Sequence, residues 1–346
     1  MSVLRRTGDA ARLLLDLVTR DPAFVRGGDL APSDIPVFTF HSLEPHSFER
    51  RMRYLKDAGY SAITMSMYLN ALTGKRAAPT KSVLVTIDDG RASTWTVAYP
   101  ILSRLDMRAT AFLVTSAVHE SSDVSKTVGD GPEPEWPRLV SRDNSADRPF
   151  VTWGEVRAMR DAIDIESHTH RHALIPVGTD AAGRRTEAMT SGYGALDCPF
   201  IWIEGREVRG GDVPLNHPVP ASAPRLAGRP AYRSVDHRFE TPAEMEDAIR
   251  FELAESRRVL REKADVDATA VCYPWHVSSD VAKRIAAEAG YVAGFAGKSD
   301  SGPAISREGS DLFSIARVGE DYVERLPGPG RRSLASILRE KLARKA

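Results

Sequence analysis

Apolar residues along this chain recur in two rhythms, and the rhythms alternate. Short β-branched or aromatic runs stand between longer segments in which apolar positions return every three or four residues. Pro36 to Phe40 reads as a first strand. Ser47 then caps a helix that buries Phe48, Met52 and Leu55 and stops at Gly59. Ala62 to Thr64 reads as a strand, Ser66 to Leu72 as a helix ended near Gly74, and Ser82 to Ile87 as a buried strand. A helix over Thr94 to Leu105 leads to a strand at Ala109 to Val114. Thr152 and Glu155 form a capping-box pattern that opens a helix, and Ile163 to Glu166 is the next strand.

The same alternation returns further on. Thr241-Pro242-Ala243-Glu244 has the cap, proline and glutamate of a helix start, and Met245, Ile249, Leu253 and Leu260 mark the buried face. Thr269 to Tyr273 and Tyr291 to Ala296 read as strands around a helix at Ser279 to Ala289. Leu312 to Ile315 is expected to be the last strand, and Leu334, Leu338 and Leu342 lie on a final amphipathic helix. This order predicts an α/β fold on a parallel sheet, open or closed. Two stretches interrupt it. Residues 115–150 and 173–240 are rich in glycine, proline and polar residues and exceed ordinary connector length, which suggests a substrate rim. The expected organisation is an N-terminal amphipathic helix and linker over 1–35, a single domain over 36–320 with an insertion at 173–240, and a tail with a helix over 321–346.

Charge narrows the range of partners. Lys plus Arg and Asp plus Glu both number 47, so the net charge of this 346-residue chain is zero. No global field draws it to nucleic acid or to an anionic membrane. The basic tail (Arg331, Arg332, Arg339, Lys341, Arg344, Lys345) is expected to be a solvated helix face. Two cysteines, Cys198 and Cys272, cannot make a disulfide framework. The first twenty residues resemble a secretion signal only superficially, because Asp9, Arg12 and Asp16 break the apolar stretch. The expectation is a cytoplasmic protein with no stable membrane insertion, and a homo-oligomer is compatible with the sequence.

The chemistry lies in two clusters. Val85-Thr86-Ile87-Asp88-Asp89-Gly90 ends a strand in paired carboxylates at a turn. His168-Thr169-His170-Arg171-His172 follows another strand and spaces His168 and His172 four residues apart. One carboxylate and two imidazoles can hold a divalent ion and leave positions free for water and substrate, while the second carboxylate serves as a general base. Each cluster also has a plainer reading, as a turn with capping acids or a surface histidine patch. His170 falls outside the ligand spacing. Trp153 and Trp275 are candidate stacking surfaces, although Trp153 reads better as core.

Together the clusters resemble the polysaccharide deacetylases of the NodB-homology type, carbohydrate esterase family 4. The resemblance runs from about residue 36 to 320 and includes Leu55-Lys56-Asp57-Ala58-Gly59-Tyr60, Ala109-Thr110-Ala111-Phe112-Leu113 and Thr152-Trp153-Gly154-Glu155. It implies a deformed (β/α) barrel with long inserted loops. It also implies a divalent metal ion, expected to be zinc, held by Asp89, His168 and His172, with Asp88 as catalytic base. The implied reaction removes an N-acetyl or other N-acyl group from an amino-sugar substrate, with water activated by the metal as nucleophile. Two features depart from the pattern. Cys272-Tyr273-Pro274-Trp275-His276 stands where an arginine or tyrosine motif ending in glycine is usual, and no histidine follows His276 to serve as the customary general acid. His276 is the leading replacement acid, with His41, His217 and His237 behind it. Tyr273, Pro274 and Trp275 are expected to wall the substrate, and Arg317 to replace the arginine that tunes the base. The alternatives are hydrolysis of another C–N bond, such as a cyclic imide or ureide, and a non-catalytic carbohydrate-binding relative.

Overall fold

The computed structural model of the protein describes residues 22–145, 148–189, 193–297 and 305–343. The expected N-terminal helix at Met1 to Arg20 lies outside the described residues, as do Arg344 and Lys345 of the basic tail. Eight strands alternate with helices: β1 Val37–Phe40, β2 Ser61–Ala62, β3 Ser82–Ile87, β4 Ala109–Leu113, β5 Ile163–Ser167, β6 Ala270–Cys272, β7 Ala293–Phe295 and β8 Val318–Gly319. They pair in parallel in the order β7-β6-β5-β4-β3-β1-β8, with β2 also on β3. The sheet curls into an open, deformed barrel. At its seam a single bridge joins Phe295 to Ile315.

Strand alternation sorts the sheet into two faces. Val83, Val85, Ile87, Ala109, Ala111, Ile163, Ile165, Val271 and Tyr273 pack outward in the large core beneath the helices. Val37, Leu84, Phe112, Ala270, Cys272, Ala293 and Phe295 belong to a second, inner core. Continuing the inner parity up each strand reaches Thr39 and His41, then Thr86 and Asp88, then Glu166 and His168. The barrel interior is therefore apolar below and polar at the C-terminal ends of its strands, where barrel folds place their chemistry.

Several expected elements shift. The helix assigned to Ser47 begins at Pro45, because the Glu44 carboxylate accepts the His46 and Ser47 N–H groups and Pro45 needs no partner there. Thr64 is not a strand residue but the cap of the helix Met65–Leu72. Leu312 to Ile315 is not a strand. The Asp311 carboxylate accepts the Phe313 N–H and the Ser314 hydroxyl and turns the chain, so the last strand forms at Val318–Gly319. The helix expected from Thr94 starts as a π-turn over Thr94–Ala98. Pro100 lacks an N–H to give the Thr96 carbonyl, which the Val128 N–H takes instead.

Both long stretches carry structure. Residues 115–150 hold short helical turns from Glu133 to Asn144. Asp143 accepts hydrogen bonds from the Ser93 N–H and hydroxyl, each at 2.7 Å, and so fastens this loop beside the first motif. The insertion at 173–240, read as irregular, contains a strand of eleven residues, Leu174–Arg184, paired antiparallel with Pro218–Pro224. Prolines at 176, 218, 220 and 224 hide it from a strand search and coincide with a slipped register between Pro176 and Gly183. Among the described residues no helix is long and apolar enough to cross a membrane. Arg331 donates to the carbonyls of Phe24, Gly27, Gly28 and Arg325, so this part of the basic tail is structural.

Candidate metal centre

Asp88 follows the inward parity of β3, but Asp89 should point away. It does not, because Asp89 and Gly90 both adopt left-handed backbone, with φ of 73° and 75°. Two left-handed residues in succession fold the strand end back, so both carboxylates reach one place. Aspartate tolerates this conformation better than most residues. Gly90 is required as well, since a Cβ there would lie 2.8 Å from Leu113 Cδ2.

The histidine turn is built in a similar way. His168 extends β5 inward, and Thr169 and His172 take φ of 67° and 51°. The long helix Pro242–Ala264 braces it. Glu252 accepts the Arg171 N–H at 2.8 Å and its Nε–H at 2.6 Å, and Ser256 shares a hydroxyl contact with Ser167.

Asp89, His168 and His172 are all buried, and one ligand-capable atom from each lies within 4.8 Å of the others. Asp89 Oδ1 stands 3.4 Å from His168 Nε2 and 3.9 Å from His172 Nε2. His168 Nδ1 lies 2.8 Å from the Cys272 carbonyl. It therefore carries a proton and donates, which turns Nε2 toward Asp89, the arrangement that orients metal-bound histidines. Asp89 Oδ2 and His172 Nδ1 are buried without a hydrogen bond. Burial, reinforced by His168, pushes the His172 imidazole down to about 3, which keeps it neutral. A buried carboxylate with two imidazoles whose Nε2 atoms face it fits a divalent cation.

Asp88 is gripped from several strands. Arg317 Nη1 donates to Oδ1 at 2.7 Å, and both side chains are fully buried. Around Oδ2 lie Thr39 Oγ1 at 3.4 Å, Cys272 Sγ at 3.6 Å and His41 Nε2 at 3.7 Å. Burial alone would raise this carboxyl. Arg317, with His168 and His41, overrides it and holds Asp88 well below the usual carboxylate range. Asp88 is therefore ionised and fixed in direction.

The third motif divides. Tyr273 has outward parity and is fully buried, with its ring against Gly294, so it packs in the core beneath the helices. Pro274 is buried. Trp275 takes φ of 51° and lays its ring 4.0 Å, centroid to centroid, from His172. His276 is exposed, and Arg317 Nη2 donates to its Nδ1 at 3.0 Å, so its proton sits on Nε2. Desolvation and the charge of Arg317 push this imidazole down to about 3. His41 is nearer the base and 39% exposed. Trp153 is core, its indole donating to Glu120.

Other residues at the site were not read from the sequence. Thr39 was accessible to parity counting from β1. Arg91 follows the first motif and places Nε 3.6 Å from Asp89 Oδ2. Asp197 and Arg209 come from the insertion, where no spacing marks them. Asp197 lies between Leu196 and Cys198, whose carbonyls both accept from Arg209, which also donates to the His172 carbonyl. Burial, with the nearby Asp89 charge, pushes the Asp197 carboxyl above its usual range.

Comparison with known proteins converges on this region. The family described as polysaccharide deacetylase matches residues 75–191, which hold Asp88, Asp89, His168 and His172. YxkH of Bacillus subtilis (strain 168), which carries the polysaccharide deacetylase name, is 30% identical over 95 residues, 25% of this chain and 34% of its own. The poly-beta-1,6-N-acetyl-D-glucosamine N-deacetylase of Escherichia coli (strain K12) is 25% identical over 281 residues, 81% of this chain and 34% of that protein. The chain thus spans about a third of the length of these curated relatives. The BpsB deacetylase domain from Bordetella bronchiseptica superposes with a TM-score of 0.57 at 18% identity, covering 84% of this chain and 96% of that one, which shows a shared fold.

Proposed function

We propose, from the premise that the chain belongs to the polysaccharide deacetylase family, that it hydrolyses the N-acyl bond of an amino-sugar substrate, acetyl being the first group to test. The observation that carries this reading is the pairing of a buried carboxylate, Asp88, locked on Arg317, with the Asp89–His168–His172 cluster beside it. Asp89, His168 and His172 would hold a divalent metal, zinc being the expected ion from the nitrogen and oxygen donors. When bound, such an ion supplies Lewis acidity for the acyl carbonyl and for a water molecule.

The remaining work belongs to side chains. Asp88 accepts the proton of the attacking water, and Arg317, holding Oδ1, fixes the direction of Oδ2. Trp275 forms a wall over His172 against which a sugar face can stack. The departing nitrogen needs a proton. His276 was the first candidate, and Arg317 donating to its Nδ1 keeps it neutral. His41, with Nε2 3.7 Å from Asp88, supports the role better.

The test is acetate release from a panel of N-acetylated amino sugars, measured on chelated protein and again after zinc is restored. We expect release that follows zinc occupancy and is lost in the His41→Ala variant more than in His276→Ala. Stoichiometric zinc uptake with no acetate from any sugar would overturn the reading. Turnover of a cyclic imide or ureide instead would move the substrate class.

A further inference from the structure

Arg209 lies in the insertion, yet its guanidinium reaches the backbone of the histidine turn. Nε donates to the Cys198 carbonyl at 3.0 Å, and Nη2 donates to the carbonyls of Leu196 at 2.6 Å and His172 at 2.9 Å. Nη1 donates to the Arg171 carbonyl. One side chain thus joins two backbone segments: the end of the histidine turn, and the residues on either side of Asp197. The planar fork of arginine suits this task, since four carbonyls are met in a fixed geometry that a lysine ammonium cannot reproduce. Phe200 backs the arrangement, its ring 4.6 Å from the Arg209 guanidinium and 4.8 Å from that of Arg171.

The segment so held has a second anchor. Leu196 is buried with Val114, just past the end of β4, and with Phe150. Asp197 is therefore fixed between a hydrophobic plug on one side and Arg209 on both. Through Arg209, the carbonyls on both sides of Asp197 are tied to the carbonyl of His172, whose ring Trp275 covers, so the Asp197 segment borders the proposed metal site. Asp197 remains only partly buried. A carboxylate delivered to the mouth of a metal site by an element outside the barrel, and left partly open, is placed to meet a ligand.

We infer that the insertion completes the site: Asp197 is a substrate-binding residue that accepts hydrogen bonds from hydroxyl or amino groups of the sugar, and Arg209 is the positioning residue that locks both Asp197 and the His172 turn. The Asp197 part rests on the amino-sugar reading above; the Arg209 part rests only on metal binding by the three ligands. Glu252 holds the N–H groups of His170 and Arg171, Ser256 meets Ser167, and Arg209 holds the carbonyls of Arg171 and His172, the last two residues of the turn.

The experiment has two readouts on the full chain. Zinc affinity is measured by competition titration for wild type, Arg209→Lys, Arg209→Met and Asp197→Asn. Loss of an orienting partner of a metal ligand weakens affinity about 10–100-fold, and this is expected for Arg209→Met, with a smaller loss for Arg209→Lys and less than twofold for Asp197→Asn. Should Arg209→Met fail to fold, Arg209→Lys decides the point. A folded Arg209 variant with wild-type zinc affinity overturns the lock. Steady-state kinetics on the sugar that wild type turns over fastest should show KM raised about tenfold in Asp197→Asn with kcat within a factor of two or three, as for loss of a binding contact shared by ground and transition states. An unchanged KM overturns the role of Asp197. If zinc-loaded wild type releases no acetate from any sugar, the amino-sugar reading and the Asp197 role both fall, while the zinc titration still decides Arg209.

Discussion

The barrel and its insertion place functional groups by different physics. In the barrel, a period of two along parallel strands decides everything. Thr39, Thr86, Asp88 and His168 reach the site because they continue the inner parity of β1, β3 and β5, and each strand is fixed by neighbours on both edges. In the insertion, the ladder between Leu174–Arg184 and Pro218–Pro224 slips twice and pairs only with itself. What reaches the site from there, Asp197, does so through side-chain anchors. The difference is visible in two arginines. Arg317 leaves the barrel seam and meets a carboxylate, so it sets charge; Arg209 leaves the insertion and meets four carbonyls, so it sets position. A barrel can hold catalytic groups by strand register alone, whereas an inserted element must be fastened to contribute.

The sharpest way to break this contrast is at Asp88. If the barrel alone supplies the base, Asp88→Asn should lower kcat by about 10²–10⁴-fold with zinc binding retained. The same change leaves Arg317 buried without its carboxylate, and breaking a buried pair costs about 3–5 kcal/mol of stability. The double variant Asp88→Asn/Arg317→Met should recover much of that stability and none of the activity. Denaturant titration and acetate release on the same samples separate the two effects. Activity within tenfold of wild type in the single variant would remove the base from the barrel.

The parity that makes Asp88 vulnerable is also why it could be read from the chain. A β-branched run ending in carboxylates at a glycine, and two histidines after a second run, are local patterns, so the four central residues were legible. The return of Asp89 to the inner side was legible only in part. Gly90 marks a turn, but the left-handed φ of Asp89 itself comes from how the turn packs against β4. Tyr273 shows the opposite failure. Its motif suggested the site, yet counting outward from Val271 would have placed it in the core. Nothing local marks Asp197 or Arg209. Their placement depends on Leu196 meeting Val114 and Phe150 across distant parts of the chain, which no spacing encodes.

A smaller effect separates the roles of the two arginines. With Arg317 present, Asp88 is held below the ordinary range against the pull of burial. Removing only the guanidinium charge in Arg317→Met lets burial dominate, so the Asp88 carboxyl rises. With Asp88 as the proposed base, the acid limb of kcat/KM should move to higher pH by one unit or more. Arg209→Met should leave that limb in place, because Arg209 contacts backbone carbonyls rather than the base. pH–rate profiles of both variants decide this. A shift in the Arg209 variant, or none in the Arg317 variant, would mean that the two arginines do not divide charge from position.

The smallest effect compares two capping boxes of identical type, one inside the barrel and one where the insertion ends. Thr152 caps the helix Trp153–Ala158, is almost fully buried, and also donates to the Asp123 carbonyl at 2.6 Å. Thr241 caps the helix Pro242–Ala264, is exposed, and makes only the box itself. Losing such a cap costs about 1 kcal/mol, and a further hydrogen bond is worth about 1 kcal/mol. Thr241→Ala should therefore cost about 1 kcal/mol in denaturant unfolding, and Thr152→Ala about twice that. The ordering follows from the surroundings, since the box is the same and only the second contact differs. Equal losses at the two threonines would mean that the buried setting of the barrel adds nothing to a local motif, and the physical distinction between the two regions would then be confined to the site.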